Sequence, residues 1–479
     1  MVAFLHSSIT KRVLSSLFLC ALVLFGCGET IEHTEQVEIR DLAEIQNSGE
    51  LRALVAYSAT SYFLYRGNPM GYEYELLERL AESMDLNLKI VIAQDLDEML
   101  DILQRGEVDL VAHGLAITGE RKQQVAFADY LYLTRQVLVQ RKPDNWRRLT
   151  RDEIREKLIQ DPVELIGDTL SLRANSSYMD RVENLMREIG GEIEIDTLKG
   201  SLTTDEIIQM VVDKKIKYSF ADQNLARINA SQYPLLDVSV PVSFSQRIAW
   251  AFSKESPEFL NYVNQWLAAE KKRTDFYVIY NKYFKNRRSF ARRADSPFYS
   301  LNEGKISPYD ETIRQEARRL GWDWRLLAAV VYQESRFDPE ANSWTGASGL
   351  MQLMPSTAED LGVDQREDPV ASLKAGSTYL KQLYGRFEEV SDSLQRIKFT
   401  LASYNCGYEH VEDARRLAAV KGLDRNKWDR SVDSMLLALR SPSNYHHEVV
   451  RYGYVRGEEP YRYVNQIFNR FEHYRSLSR

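Results

Sequence analysis

Cysteine is scarce: the 479 residues hold three, Cys20, Cys27 and Cys406. Cys20 sits within an apolar leader, so no two core cysteines remain to form an intrachain disulfide, and the fold must stand on packing. Beyond the amino terminus there is no run apolar enough to span a bilayer. Basic excess is missing too. Lys and Arg number 62 against 69 Asp and Glu, a net charge of -7, which argues against a general nucleic-acid binder, a class that needs a basic stripe to neutralise phosphates. The seven histidines show no ligand spacing near acids or cysteines, so no metal site and no cofactor is implied. No internal repeat or low-complexity block stands out. What remains is an ordinary globular composition, 44% hydrophobic and 27% charged, in a chain long enough for about three folding units.

Lys11 and Arg12 precede the apolar run Leu14 to Phe25, which is too short to cross a membrane and reads as an export signal over residues 1–26. The run ends in Leu24-Phe25-Gly26-Cys27 and resembles the bacterial lipobox, although Phe25 is bulkier than the usual occupant. The resemblance implies that Cys27 is acylated and tethers the protein to a membrane by lipid. That places it on the periplasmic face of the envelope, as an outer-membrane lipoprotein. Residues 27–48 then read as a polar linker. Ordinary secretion, with Cys27 lost or idle, is the alternative.

From Leu51 to about Asn286, short apolar runs alternate with helical patterns: "LRALVAY", "YELLERLAESM", "LKIVIA", "LDEMLDILQRG", "VDLVAHGLAI". The alternation predicts β-α-β units and a largely parallel sheet over residues 49–287. "GNPMGYEYELLERLAE" and "RGEVDLVAHGLAITGERKQQVAFADYLY" resemble the periplasmic solute-binding proteins, which hold amino acids between two α/β lobes. The resemblance implies that Arg121 anchors a ligand carboxylate, a task suited to a planar guanidinium donating two parallel hydrogen bonds. It assigns Asp222 of "YSFADQN" to the ligand's amino group and sets Ser176 and Ser177 near the first helix of the second lobe. Ala116 stands where relatives offer a hydroxyl, a departure that bears on the ligand's identity. A muropeptide or amino-acid ligand with a regulatory role is the expectation. The alternative for Arg121 is a solvated arginine in "GERKQQ". Tyr57, Tyr62 and Phe63 read as cleft lining or as core.

"NRRSFARRADSP" changes the texture to basic and polar, and residues 288–300 read as a connector. From 301 to 479 apolar residues recur at helical spacing without strand-like runs. Asp323 is a plausible cap for the helix "WRLLAAVVYQES", which puts Leu327, Val330, Val331 and Glu334 on one side. A carboxyl on an apolar face loses hydration, and its pKa rises toward that of a general acid. Pro339 stops the helix soon after. The plain alternative is a glutamate paired with Arg336.

In order, "ES" at Glu334-Ser335, "GASGLMQLMP" at 346–355 and "YNCG" at 404–407 resemble the lytic transglycosylase family with its lysozyme-like helical domain. The two resemblances together imply a multidomain chain, a two-lobed α/β periplasmic-binding-protein-like domain followed by an all-α lysozyme-like domain. They imply that Glu334 is a single catalytic acid acting on peptidoglycan glycan strands. Ser348 and Gln352 would contact the glycan, Tyr404 and Asn405 would line the groove, and Tyr463 of "YRYVNQIF" would join them. Cys406 replaces a small alanine, and no histidine partner signals a nucleophile there. Most glycosidases pair two carboxylates. A transglycosylase needs one, which protonates the bond between N-acetylmuramic acid and N-acetylglucosamine and then, as a base, frees the muramic C6 hydroxyl to close a 1,6-anhydro ring. A lysozyme-type hydrolase, or a solute sensor with a non-catalytic glycan-binding half, are the competing expectations.

Overall fold

The computed structural model describes residues 39–199, 202–302 and 304–476. Cys27 and the leader lie outside them. Within the stretch 27–48, residues Leu42–Ser48 form a helix, begun by a capping box in which Asp41 and Glu44 satisfy each other's backbone N–H groups.

In the first lobe, strand Glu50–Val55 runs parallel to Asn87–Ile92 on one side and Leu110–Ala116 on the other. The expected parallel order holds for these three. It breaks at Gln246–Phe252, which pairs antiparallel with Leu110–Ala116, Ala126–Phe127 and Tyr132–Thr134. The chain leaves this lobe after Tyr132–Thr134 and returns through Gln246–Phe252, so this strand does not arrive by the helical crossover that parallel pairing requires. The sheet is mixed for that reason.

In the second lobe, Gln136–Arg141 lies between Ser219–Asp222 and Leu236–Asp237, antiparallel to both. Thr169–Arg173 pairs in parallel with Glu194–Leu198. Its apolar clusters, one around Leu138, Val182 and Phe220 and one around Val137, Ile208 and Ala226, are closed within the lobe. A different arrangement joins the first lobe to the helical half. Leu51, Phe63, Tyr72 and Trp250 belong to the same continuous core as Val330, Phe337, Ile467 and Tyr474.

The stretch 288–300, read as a connector, carries the helix Arg287–Ala294, capped by Asn286 through Ser289 N–H at 3.0 Å. Within it Arg293 is buried with its guanidinium 5.7 Å from the Phe63 ring and 5.6 Å from that of Tyr283, a cation–π arrangement that offsets lost hydration.

The first lobe grips the helical half through the hairpin Phe63–Leu64–Tyr65 and Asn68–Met70. At its tip the Gly67 carbonyl accepts from Tyr474 and Arg470, each at 3.0 Å, and Asn68 accepts from the Tyr332 hydroxyl. A Cβ on Gly67 would lie 2.6 Å from both Tyr332 and Tyr474, and its φ is +70°. The tip is seated where only glycine fits. Tyr62, one of the aromatics of ambiguous reading, is fully buried and meets His473 at 3.0 Å.

Candidate active site and ligand cleft

Asp323 caps the helix Trp324–Ser335 by accepting from Arg325 N–H at 2.9 Å. Leu327, Val330 and Val331 are fully buried on the side that carries Glu334. The helix ends before Pro339 acts, because Arg336 and Phe337 turn into the left-handed region at φ 54° and 62°. Helix Glu458–Ser476 packs across it and places Tyr463 so that its hydroxyl donates to Glu334 Oε1.

Glu334 keeps part of its surface open, while protein surrounds its carboxyl on the other sides. Burial raises its pKa from 4.5 to about 7, and the Tyr463 hydrogen bond draws it part of the way back. No described cation contributes to the shift. Arg336, the alternative partner, is exposed and lines a neighbouring groove. Glu334 opens instead onto a groove of about 680 Å³, whose walls include Asn405, Arg456, Glu459, Arg462 and Tyr463.

The other expected residues divide by burial. Tyr404 donates to the Met351 carbonyl at 2.7 Å and lies close enough to Glu334 for the carboxylate to raise its own pKa further, beyond the effect of burial. Ser348 requires correction as a direct glycan contact. It is fully buried, and its Oγ donates to Glu367 Oε1 at 2.5 Å. Gln352, at φ 47°, spends its amide on the carbonyls of Ala341 at 2.8 Å and Gly349 at 3.0 Å. Both residues hold the loop after the acid helix. Gly349 completes it, since a Cβ there would meet the Arg366 carbonyl oxygen at 1.9 Å. Cys406 sits beside this groove with its thiol pushed up to about 12 by burial, so it is no nucleophile at neutral pH.

A second site lies between the two lobes of the amino-terminal domain. Arg121 and Asp222 both line a cavity of about 120 Å³. Arg121 begins the short helix Arg121–Gln124 and donates to the Ala116 carbonyl at 3.1 Å. Burial, and then the nearby Arg173, lower its pKa. Asp222 ends strand Ser219–Asp222, and burial raises its pKa to about 7 against the pull of Arg121. Ser176 and Ser177 line the same cavity. Sequence reasoning missed Glu73, His113 and Arg173 there. Burial moves Glu73 up to about 8 and His113 down to about 3, so both are neutral at pH 7. The lobes meet through Ala59 N–H donating to Asp205 at 3.1 Å and Asn175 donating to Asp97 at 3.4 Å.

Comparison with known proteins matches residues 42–286 to the bacterial extracellular solute-binding proteins, family 3, and residues 311–426 to the transglycosylase SLT domain. The chain is 33% identical over 434 residues to the membrane-bound lytic murein transglycosylase F of Desulfosudis oleivorans, covering 91% of this chain and 92% of that one. It is 31% identical over 471 residues to the protein of the same name from Stutzerimonas stutzeri, covering 97% and 91%. Among solved structures, a mutant of ArgBP from T. maritima covers 51% of this chain and 99% of its own, at 24% identity and a TM-score of 0.43.

A sheltered Glu334 has a thermodynamic signature. Its folded pKa of about 7 lies above the ordinary 4.5, so between these values the folded chain holds a proton that the unfolded chain has released, and stability falls as pH rises through that window. Glu334→Gln removes this loss. Denaturant melts are expected to show the variant more stable than wild type by roughly 1–2 kcal/mol at pH 8 and no different at pH 4. Equal stability at both pH values would mean that the carboxyl is well hydrated.

Proposed function

The chain belongs to the membrane-bound lytic murein transglycosylase F family, and from that premise we propose that Glu334 serves as both acid and base in a non-hydrolytic cleavage of murein. The observation that carries this reading is a carboxyl with a pKa near 7 opening onto a sugar-sized groove. At neutral pH such a group is present in both protonation states, which suits one residue to both tasks. Protonated, it delivers its proton to the oxygen between N-acetylmuramic acid and N-acetylglucosamine. As the carboxylate it then takes the proton of the muramic C6 hydroxyl, whose oxygen attacks C1 to give the 1,6-anhydro end. Tyr463 holds Oε1, so the carboxyl stays oriented through both steps. Asn405 lines the groove for the sugar, and Tyr404, through Met351, keeps the loop of Ser348 and Gln352 in place.

Hydrolysis would need a second carboxylate to activate water. Glu459 is the exposed acid on the groove wall suited to that role. Glu334→Gln is expected to lower murein turnover by at least about 100-fold, whereas Glu459→Gln leaves it within a few-fold. Mass analysis of the products is expected to show ends lighter by one water than hydrolytic ones. Reducing ends throughout would reject the reading in favour of a hydrolase.

In the amino-terminal domain, Arg121 receives a ligand carboxylate and Asp222 an ammonium group. The size of the cleft, about 120 Å³, favours an amino acid over a whole muropeptide with the lobes in contact. Ligand binding that holds the lobes together would regulate murein cleavage only through different affinity for the active and inactive states. Titration calorimetry with amino acids and muropeptides is expected to show heat with wild type and none with Arg121→Ala; equal binding by both removes Arg121 from the site.

The relatives are named as membrane-bound and murein-directed, which puts the protein in the cell envelope. Among the described residues no helix is long and apolar enough to cross a membrane. An outer-membrane lipoprotein anchored through Cys27 accords with both facts. Labelled palmitate is expected to enter the wild-type protein and not Cys27→Ala; label in both, or in neither, would refute that anchor.

A further inference from the structure

The groove that holds Glu334 continues past the helical half. Gln333 and Gln466, joined by a 2.9 Å hydrogen bond, stand between it and a second groove of about 1060 Å³ and line both. One wall of the second groove is catalytic-domain surface, with Arg336, Asn469 and Arg470. The other is the helix Tyr72–Ser83 of the amino-terminal domain, with Glu75, Glu78, Arg79 and Glu82.

Most cations on these walls are committed. Arg79 pairs with Glu270 at 2.5 Å, and Lys282 pairs with Glu75 at 2.5 Å. Arg470 donates to Gly67 and covers the Tyr332 ring at 3.5 Å. Arg336 differs. It is exposed, and among the described residues its guanidinium takes part in no hydrogen bond or ion pair. It also stands in a left-handed conformation that costs a non-glycine residue free energy, followed by Phe337, which is 1% exposed and fixes the turn. A charged side chain is thus held in a strained position two residues beyond Glu334 and turned into the second groove.

Murein strands are uncharged along the sugars and carry acidic stem peptides on their muramic residues. We propose that Arg336 binds a stem-peptide carboxylate of the strand engaged at Glu334, and that the helix Tyr72–Ser83 forms the far wall of this peptide subsite. Glu78 and Glu82 on that wall face the amine of a zwitterionic stem, while Lys282 neutralises Glu75. The amino-terminal domain is then part of the substrate site as well as a ligand receptor. This rests on the murein reading given above.

The test uses the full-length protein with soluble murein strands bearing stems and the same strands with their stem carboxylates amidated. The ratio of kcat/KM on the two substrates is the readout. Arg336→Asn, chosen because asparagine accepts a left-handed backbone, is expected to lower that ratio about tenfold, the scale of one charge-assisted bidentate contact. Arg336→Lys keeps the charge without the fork and is expected to fall between the two. An unchanged ratio, or an equal loss on both substrates, overturns the proposal and leaves the transglycosylase reading standing. Inactivity of the wild type on both substrates would overturn that reading and this one with it.

Discussion

Taking a carboxyl group out of water is unfavourable unless it is neutral or bonded, and the helical half is built around one such group. Leu327, Val330 and Val331 fix the buried face on which Glu334 must lie. The only described hydrogen bond to its carboxyl comes from Tyr463 on a different helix. A neutral donor is the fitting choice. A lysine or arginine in the same position would stabilise the carboxylate and pull its pKa back toward the ordinary range, leaving little of the acid form at neutral pH. The exposed position of Arg336, so close in sequence, is the other side of that constraint.

The cores divide the molecule differently from the domains. The first lobe and the helical half share one packed interior, which also takes in Ile228 of the second lobe, whereas the rest of that lobe's buried apolar residues form clusters of their own. Close-packed interiors move as units, so a shift of the second lobe against the rest must be taken up where Ile228 enters the shared core. Its helix Gln223–Gln232 packs on Arg287–Ala294, and its Asp205 reaches Ala59 across the cleft. Any change of lobe position therefore acts on the joint between the modules, while the seat of Glu334 stays attached to the first lobe.

How far the sequence reveals this depends on the range of the interaction. The acid helix is legible because its cap, its apolar stripe and Glu334 lie within a dozen consecutive residues. The three parallel strands are legible for the same reason. The direction of Gln246–Phe252 is not, because it follows from a return crossing more than a hundred residues after Leu110–Ala116. Ser348 and Gln352 show a related limit: polar residues in a glycine-rich loop look ready for a ligand, and only the fold reveals that their bonds are spent on Glu367 and on the loop's own carbonyls. Glu73 and His113 reach the cleft from separate segments, and neither is marked by a local pattern. In 288–300 the density of arginine suggested a connector, and the burial of Arg293 against Phe63 and Tyr283 follows from packing that the stretch itself does not show.

The seat of Gly67 has a consequence for the integrity of the chain. The tip is enclosed by Tyr332, Phe337 and Tyr474 and tied by two hydrogen bonds, so the union of the modules does not depend on the peptide that runs between them. A backbone cut between the modules would leave two fragments that still travel as one particle. Separating them would expose the three aromatic rings around Gly67 to water.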